Sequence, residues 1–96
     1  MRAFEISLNG KKLCVAGLEE GSLLFSIGCT ENKHGRGGVG LGMTGTSFLK
    51  EEVVRWQHRT LRMNDVVRVK IIETEVVDKA KILQKGFLSK RKSKSK

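Results

Sequence analysis

Asn9-Gly10 lies between two runs of alternating apolar and polar residues, and it restricts the fold of this chain more tightly than any other feature. Before it, Phe4, Ile6 and Leu8 alternate with Ala3, Glu5 and Ser7; after it, Leu13 and Val15 alternate with Lys12 and Cys14. A period of two places one set of side chains on one face of a strand. Asn-Gly between two such runs marks a two-residue hairpin loop, because a type I′ turn needs positive φ at both central residues. The loop length then predicts the register. Leu8 faces Lys11, Ile6 faces Leu13 and Phe4 faces Val15, which sets Glu5 and Ser7 against Cys14 and Lys12 on the other face.

Leu18-Glu19-Glu20-Gly21 reads as a turn, and Leu23–Cys29 as a third strand with Leu23, Phe25, Ile27 and Cys29 on one face. The expectation is an antiparallel meander with one buried side. His34–Gly45 follows, with six of the eleven glycines of the chain. It fits G-x-G-x-x-G twice, as Gly35-Gly37-Gly40 and Gly40-Gly42-Gly45. In a dinucleotide site such glycines bring the backbone to a pyrophosphate at a helix N-terminus. Here Asn32, Lys33 and His34 separate the preceding strand from the first glycine, where that site needs a tight turn, and 96 residues hold too few βαβ units. A flexible loop or a thin strand, with Val39, Leu41 and Met43 alternating with Gly40 and Gly42, is the better expectation.

Thr46–Thr60 admits two readings. As a helix it has Thr46 or Ser47 as N-cap, Glu51 and Glu52 early, Arg55, His58 and Arg59 late, and Leu49, Val53 and Trp56 as a buried stripe. As a strand, Val54 and Trp56 alternate with Arg55 and Gln57. The helix is preferred. Asn64-Asp65 marks a turn before a core strand with Val67, Val69 and Ile71, and Ile82-Leu83 offers a last strand or a helical turn.

The net charge of +9 divides unevenly. Residues 1–84 carry thirteen Lys/Arg against ten Asp/Glu, whereas residues 85–96 carry six Lys/Arg and no acid. The body is therefore only mildly basic, and the C-terminal stretch is too polar and charged to pack. No apolar run approaches the roughly eighteen residues needed to span a bilayer. The N-terminus lacks a signal-peptide core, and two cysteines are few for a small secreted domain, so a cytoplasmic location is expected.

Three blocks carry a resemblance: FEISLNGKKLCVAGL, the glycine-rich centre, and VVRWQHRTLRMNDVVRVKII. With them the chain resembles a small family of bacterial proteins of about this length. In that family the last block runs Trp, a spacer, Leu, then Gly-Asp-Glu-Val. Trp56, Leu61, Asp65 and Val66 match it, with Asn64 where glycine is usual. The resemblance spans roughly residues 3–75, implies one intact domain, and implies no particular chemistry. The basic tail lies outside it.

Candidate sites are few. Cys14 and Cys29 lie fifteen positions apart, unlike the close ligand pairs of structural zinc sites, and nothing in the sequence brings His34 or His58 to them. Glu19-Glu20 and Glu51-Glu52 are adjacent pairs whose side chains diverge. No metal, cofactor or catalytic set is expected. Trp56 stands among Arg55, Arg59, Arg62 and, further on, Arg68; a core tryptophan with solvated neighbours is the preferred reading, and a set that would stack a base or contact phosphate is the alternative. Lys90, Arg91, Lys92, Lys94 and Lys96 of the tail would neutralise phosphates.

The sequence thus predicts a mainly β chain: a compact antiparallel domain over 1–84, sandwich or partly open barrel, of five to seven strands with one short helix at 46–60. A disordered basic tail over 85–96 follows. The expected function is a non-enzymatic interaction module binding an unidentified protein partner or forming a homo-oligomer. The alternative is a nucleic-acid-binding protein acting mainly through the tail.

Overall fold

A computed structural model describes residues 1–35 and 37–86. Seven strands run β1 (Arg2–Leu8), β2 (Lys11–Gly17), β3 (Gly21–Thr30), β4 (Gly38–Ser47), β5 (Glu52–Leu61), β6 (Val67–Glu73) and β7 (Lys81–Lys85). They form two antiparallel sheets, ordered β2-β1-β6 and β3-β4-β5-β7, and among the described residues there is no helix and no closed barrel. The mainly β expectation and its strand number hold.

The hairpin forms at Asn9-Gly10, whose φ values of 52° and 85° are those of a type I′ turn. Its register differs from the expected one. Leu8 pairs with Lys11 and Ser7 with Lys12, but Ile6 pairs with Cys14 and Phe4 with Ala16. Leu13 is the extra residue of a bulge, so every β2 side chain beyond it changes partner. Cys14, expected on the face away from Ile6, is instead buried with Ile6 and Ala16 from the first sheet and Met43 from the second. Phe4, Leu13, Leu23, Phe25, Trp56 and Val67 pack around these four. Ile6 and Met43 are fully buried, each contributing about 1.5–3 kcal/mol of apolar transfer.

The meander is also corrected. β3 does not continue the first sheet; the turn after Gly17 carries the chain across the core, and β3 pairs with β4 alone. The three-stranded sheet is completed from far along the chain, by β6 against β1. Asn9 makes that return possible. Its amide exchanges hydrogen bonds with the Val66 backbone, donating to the Val66 carbonyl while its side-chain Oδ1 accepts from Val66 N, each 2.8 Å. Its Nδ2 donates to Asp65 Oδ1 at 2.9 Å, and Asp65 Oδ2 accepts from Arg62 N at 2.7 Å. Asn64 takes the positive φ, 73°, of that turn.

The expected helix at 46–60 is absent. Residues 48–51 form a turn, in which Ser47 Oγ accepts from Lys50 N at 3.1 Å and Glu51 adopts a φ of 52°. Glu52–Leu61 is then strand throughout. The helical stripe of Leu49, Val53 and Trp56 was a weaker pattern than β-branched Val53-Val54 beside a partner already extended. A second bulge, opposite Met43, gives Trp56 no cross-strand partner of its own. Trp56 turns inward against the core, while Gln57 also reaches in, its Nε2 3.5 Å from the Leu13 carbonyl.

The glycine stretch is largely β4, a ten-residue central strand rather than a phosphate loop, and no helix follows it. At Gly45 a Cβ would lie 3.1 Å from Leu18 Cδ1, Ser22 O and Trp56 Cζ3. The missing side chain is what lets the indole ring close over β4.

Candidate interaction surface

Among the described residues the two sheets leave four edge strands, and a bare strand edge invites pairing with another chain. Three of the four are guarded. The β2 edge is covered by the segment before β7, where Asp78 N donates to the Val15 carbonyl and Val15 N donates to Asp78 Oδ2, both at 2.8 Å. β6 carries Arg68, Lys70 and Glu73 over seven residues, and β7 carries Lys81 and Lys85 over five. Such charges resist edge-to-edge pairing. The fourth edge, β3, is GSLLFSIGCT: ten residues with no charge, no proline and no bulge against β4.

The direction of its free groups follows from one bond. Phe48 N donates to the Glu20 carbonyl at 3.0 Å, which makes Glu20 and Phe48 a hydrogen-bonded pair just outside the β3–β4 ladder. Antiparallel pairs alternate, so Ser22, Leu24, Ser26 and Gly28 bond to β4, and Leu23, Phe25, Ile27 and Cys29 point N–H and C=O outward. The strand also shows side chains to solvent on both faces: Leu24 is 63% exposed and Ile27 57%. The face that carries Leu24 is unusually flat. Ser26 pairs with Gly42 and Gly28 with Gly40, and a Cβ at Gly28 would meet nothing within 4 Å.

The arginines singled out in the sequence do not converge. Trp56 is half-buried in the core, and its Nε1 donates to the Asp78 carbonyl at 2.7 Å. Arg55 pairs with Thr44 and Lys81 on the face away from Trp56, and Arg59 pairs with Leu41 beyond the bulge. Arg68 is in the other sheet, opposite Ser7. Arg59 and Arg62 meet only around Asp65. The Arg62 backbone hydrogen bond, helped by the Asn9 amide and the two guanidinium charges, holds that carboxyl below its usual range. Lys90, Arg91, Lys92, Lys94 and Lys96 lie outside the described residues. Lys85, the first residue assigned to the tail, ends β7 opposite Glu52.

Both cysteines are free, Cys14 buried and Cys29 exposed. Burial, with a lesser push from the Asp78 charge, raises the Cys14 thiol to about 11, and a hydrogen bond to Glu31 raises that of Cys29. Neither is poised as a thiolate nucleophile. Among the described residues no group of three His, Cys, Asp or Glu side chains could hold a metal ion. No helix among them is long and apolar enough to cross a membrane. An open groove of about 590 Å³ runs beside Trp56, Val54, Leu49, Val76 and Ile82. Its lining is mainly apolar, with Glu52, Asp78 and Lys79 among the polar residues at its wall. No family model, curated protein or solved structure matches the chain.

The β3 edge was not singled out in the sequence, although a signal was present. In a chain that is 30% charged, residues 21–30 carry no charge. Strand pattern alone could not show that this neutral run would end a sheet instead of sitting inside one.

Proposed function

We propose that this protein is a non-enzymatic interaction module that binds a protein partner along β3, in the cytoplasm. One observation carries the reading: an uncharged ten-residue edge strand with its outward backbone groups unpaired and Leu24 and Ile27 exposed. Strand addition to such an edge takes affinity from main-chain hydrogen bonds and specificity from alternate side chains. Peptides selected from a displayed random library against the immobilised protein test it. Selected peptides should shift backbone NMR signals of Leu23–Cys29, and Ile27→Lys should weaken them about tenfold or more, as a charge on the edge does. Recovery of no binders, or of binders that tolerate Ile27→Lys, sinks the reading.

A second reading rests on charge. Six of the net nine positive charges sit in residues 85–96, so nucleic-acid binding through the tail is the alternative. Residues 87–96 hold five Lys/Arg. Full-length affinity would then fall with salt at a log–log slope of about −3.5 to −4.5, at 0.7–0.9 counterions released per contact. Deleting 87–96 should flatten it. Full-length protein that binds neither DNA nor RNA at low salt refutes this reading.

A further inference from the structure

We propose that the partner of the β3 edge is a second copy of this chain, paired antiparallel through β3 about a two-fold axis at Ser26, so that two four-stranded sheets become one of eight strands. The proposal rests on the reading of β3 as the interaction surface and names its occupant.

Symmetry and pleat restrict the registers. A two-fold axis normal to the sheet keeps each face on its own side, so facing residues must share a face and the axis must lie between two copies of the same residue. Two registers overlap β3 almost fully, centred on Phe25 or on Ser26. Charge separates them. Centred on Phe25, the strands run out with Glu19 toward Glu31 at both ends; centred on Ser26, Glu19 runs toward Lys33. The first repeats a like-charge contact twice, and the second repeats an attraction twice.

Shape agrees. In the Ser26 register Leu24, 63% exposed, faces Gly28, where a Cβ would find nothing within 4 Å. The exposed leucine meets the gap that the glycine leaves. On the other face Phe25 faces Ile27 and Leu23 faces Cys29, which extends the apolar inner surface and covers Ile27. The outward groups of Leu23, Phe25, Ile27 and Cys29 are the ones this pairing needs. Four pairs exchanging two bonds each give about eight hydrogen bonds, within the usual complement of a specific interface. Self-pairing also suits the electrostatics. Two copies of a basic chain repel, and β3 is the edge along which they can meet without bringing like charges together.

Sedimentation velocity, hydrogen exchange and one cross-link test the proposal on the full chain. The expected species is a dimer of 10.7 kDa chains. Amides of Leu23, Phe25 and Ile27 should exchange about a hundredfold slower at high than at low protein concentration, because pairing alone protects them. Ile27→Lys and, on the opposite face, Leu24→Lys should each weaken association about tenfold or more while far-UV circular dichroism stays that of the folded chain. Ser26 faces its symmetry mate as a non-hydrogen-bonded pair, with Cα atoms about 4.5 Å apart and within disulfide range. With Cys29→Ser in the background, S26C should form a covalent dimer in oxidised glutathione, and S22C should not. A monomer with unprotected β3 amides overturns the proposal, and the peptide selection then decides separately whether β3 binds another protein. A dimer that survives both lysine substitutions, or one cross-linked equally well through S22C, overturns it too.

Discussion

Two glycine-to-alanine substitutions in the same stretch should change stability in opposite directions. Gly45 and Gly38 both belong to β4 and neither has a positive φ, so alanine at either limits the unfolded chain alike. That effect alone stabilises by about 0.4–1 kcal/mol. At Gly38 a Cβ would meet nothing within 4 Å, so the gain should appear in full, raising Tm by about 2–8 °C for a domain of this size. At Gly45 a Cβ would lie 3.1 Å from three heavy atoms, inside the roughly 3.5–4.0 Å of favourable carbon contacts. The sign depends on whether those neighbours can yield. Leu18 Cδ1 can rotate away. Ser22 O belongs to the backbone of the β3–β4 ladder, and the Trp56 ring is anchored by its 2.7 Å hydrogen bond to Asp78. Overpacking against fixed atoms costs about 1–3 kcal/mol, which exceeds the entropic gain. Gly45→Ala should therefore lower stability by about 1–2 kcal/mol, and Gly45→Val by more. Urea and thermal unfolding followed by circular dichroism measure both. A Gly45→Ala protein as stable as the parent would show that the indole does not close over β4 as described. A clear loss in Gly38→Ala would place Gly38 against something unseen in the fold.

Ile6→Ala removes a fully buried side chain at the centre of the core and should cost about 2–5 kcal/mol, whereas Ile6→Val should cost about 0.5–1.5; near-equal urea midpoints for the two would contradict the packing. Native protein should show one thiol to an aromatic disulfide reagent, Cys29, with Cys14 reacting only after denaturation; two fast thiols would move Cys14 out of the core. The Cys14 thiol also links stability to alkaline pH. Burial holds it at about 11 in the folded protein, above the 9.0 of a free thiol, so the neutral thiol favours the folded state. That contribution is whole below pH 9, declines as pH rises to 11, and should disappear from the Tm-versus-pH profile in Cys14→Ala.

Local chemistry determined much of this protein directly from its sequence. Asn9-Gly10 specified a turn that few other residue pairs can form, and period-two patterns marked β1, β2, β3 and β6 because alternation is a property of the strand itself. Asn64-Asp65 marked its turn for the same reason. Other features needed the tertiary structure. The Leu13 bulge shifts the β1–β2 register and sets Cys14 beside Ile6 and Met43, a placement that depends on the second sheet packing against the first. The strand over Glu52–Leu61 prevails over a plausible helix because β4 and β7 supply its backbone partners from both sides, and no sequence window contains both. Sheet order is decided in the same way. β3 reads as the third strand of a meander until its core-facing Leu23 and Phe25 are seen to pack from across the core, which leaves β1 to be paired by β6. The β3 edge follows from that choice. Its neutral composition is written in residues 21–30, but only strand order makes those residues a boundary, with hydrogen-bonding groups left for another chain.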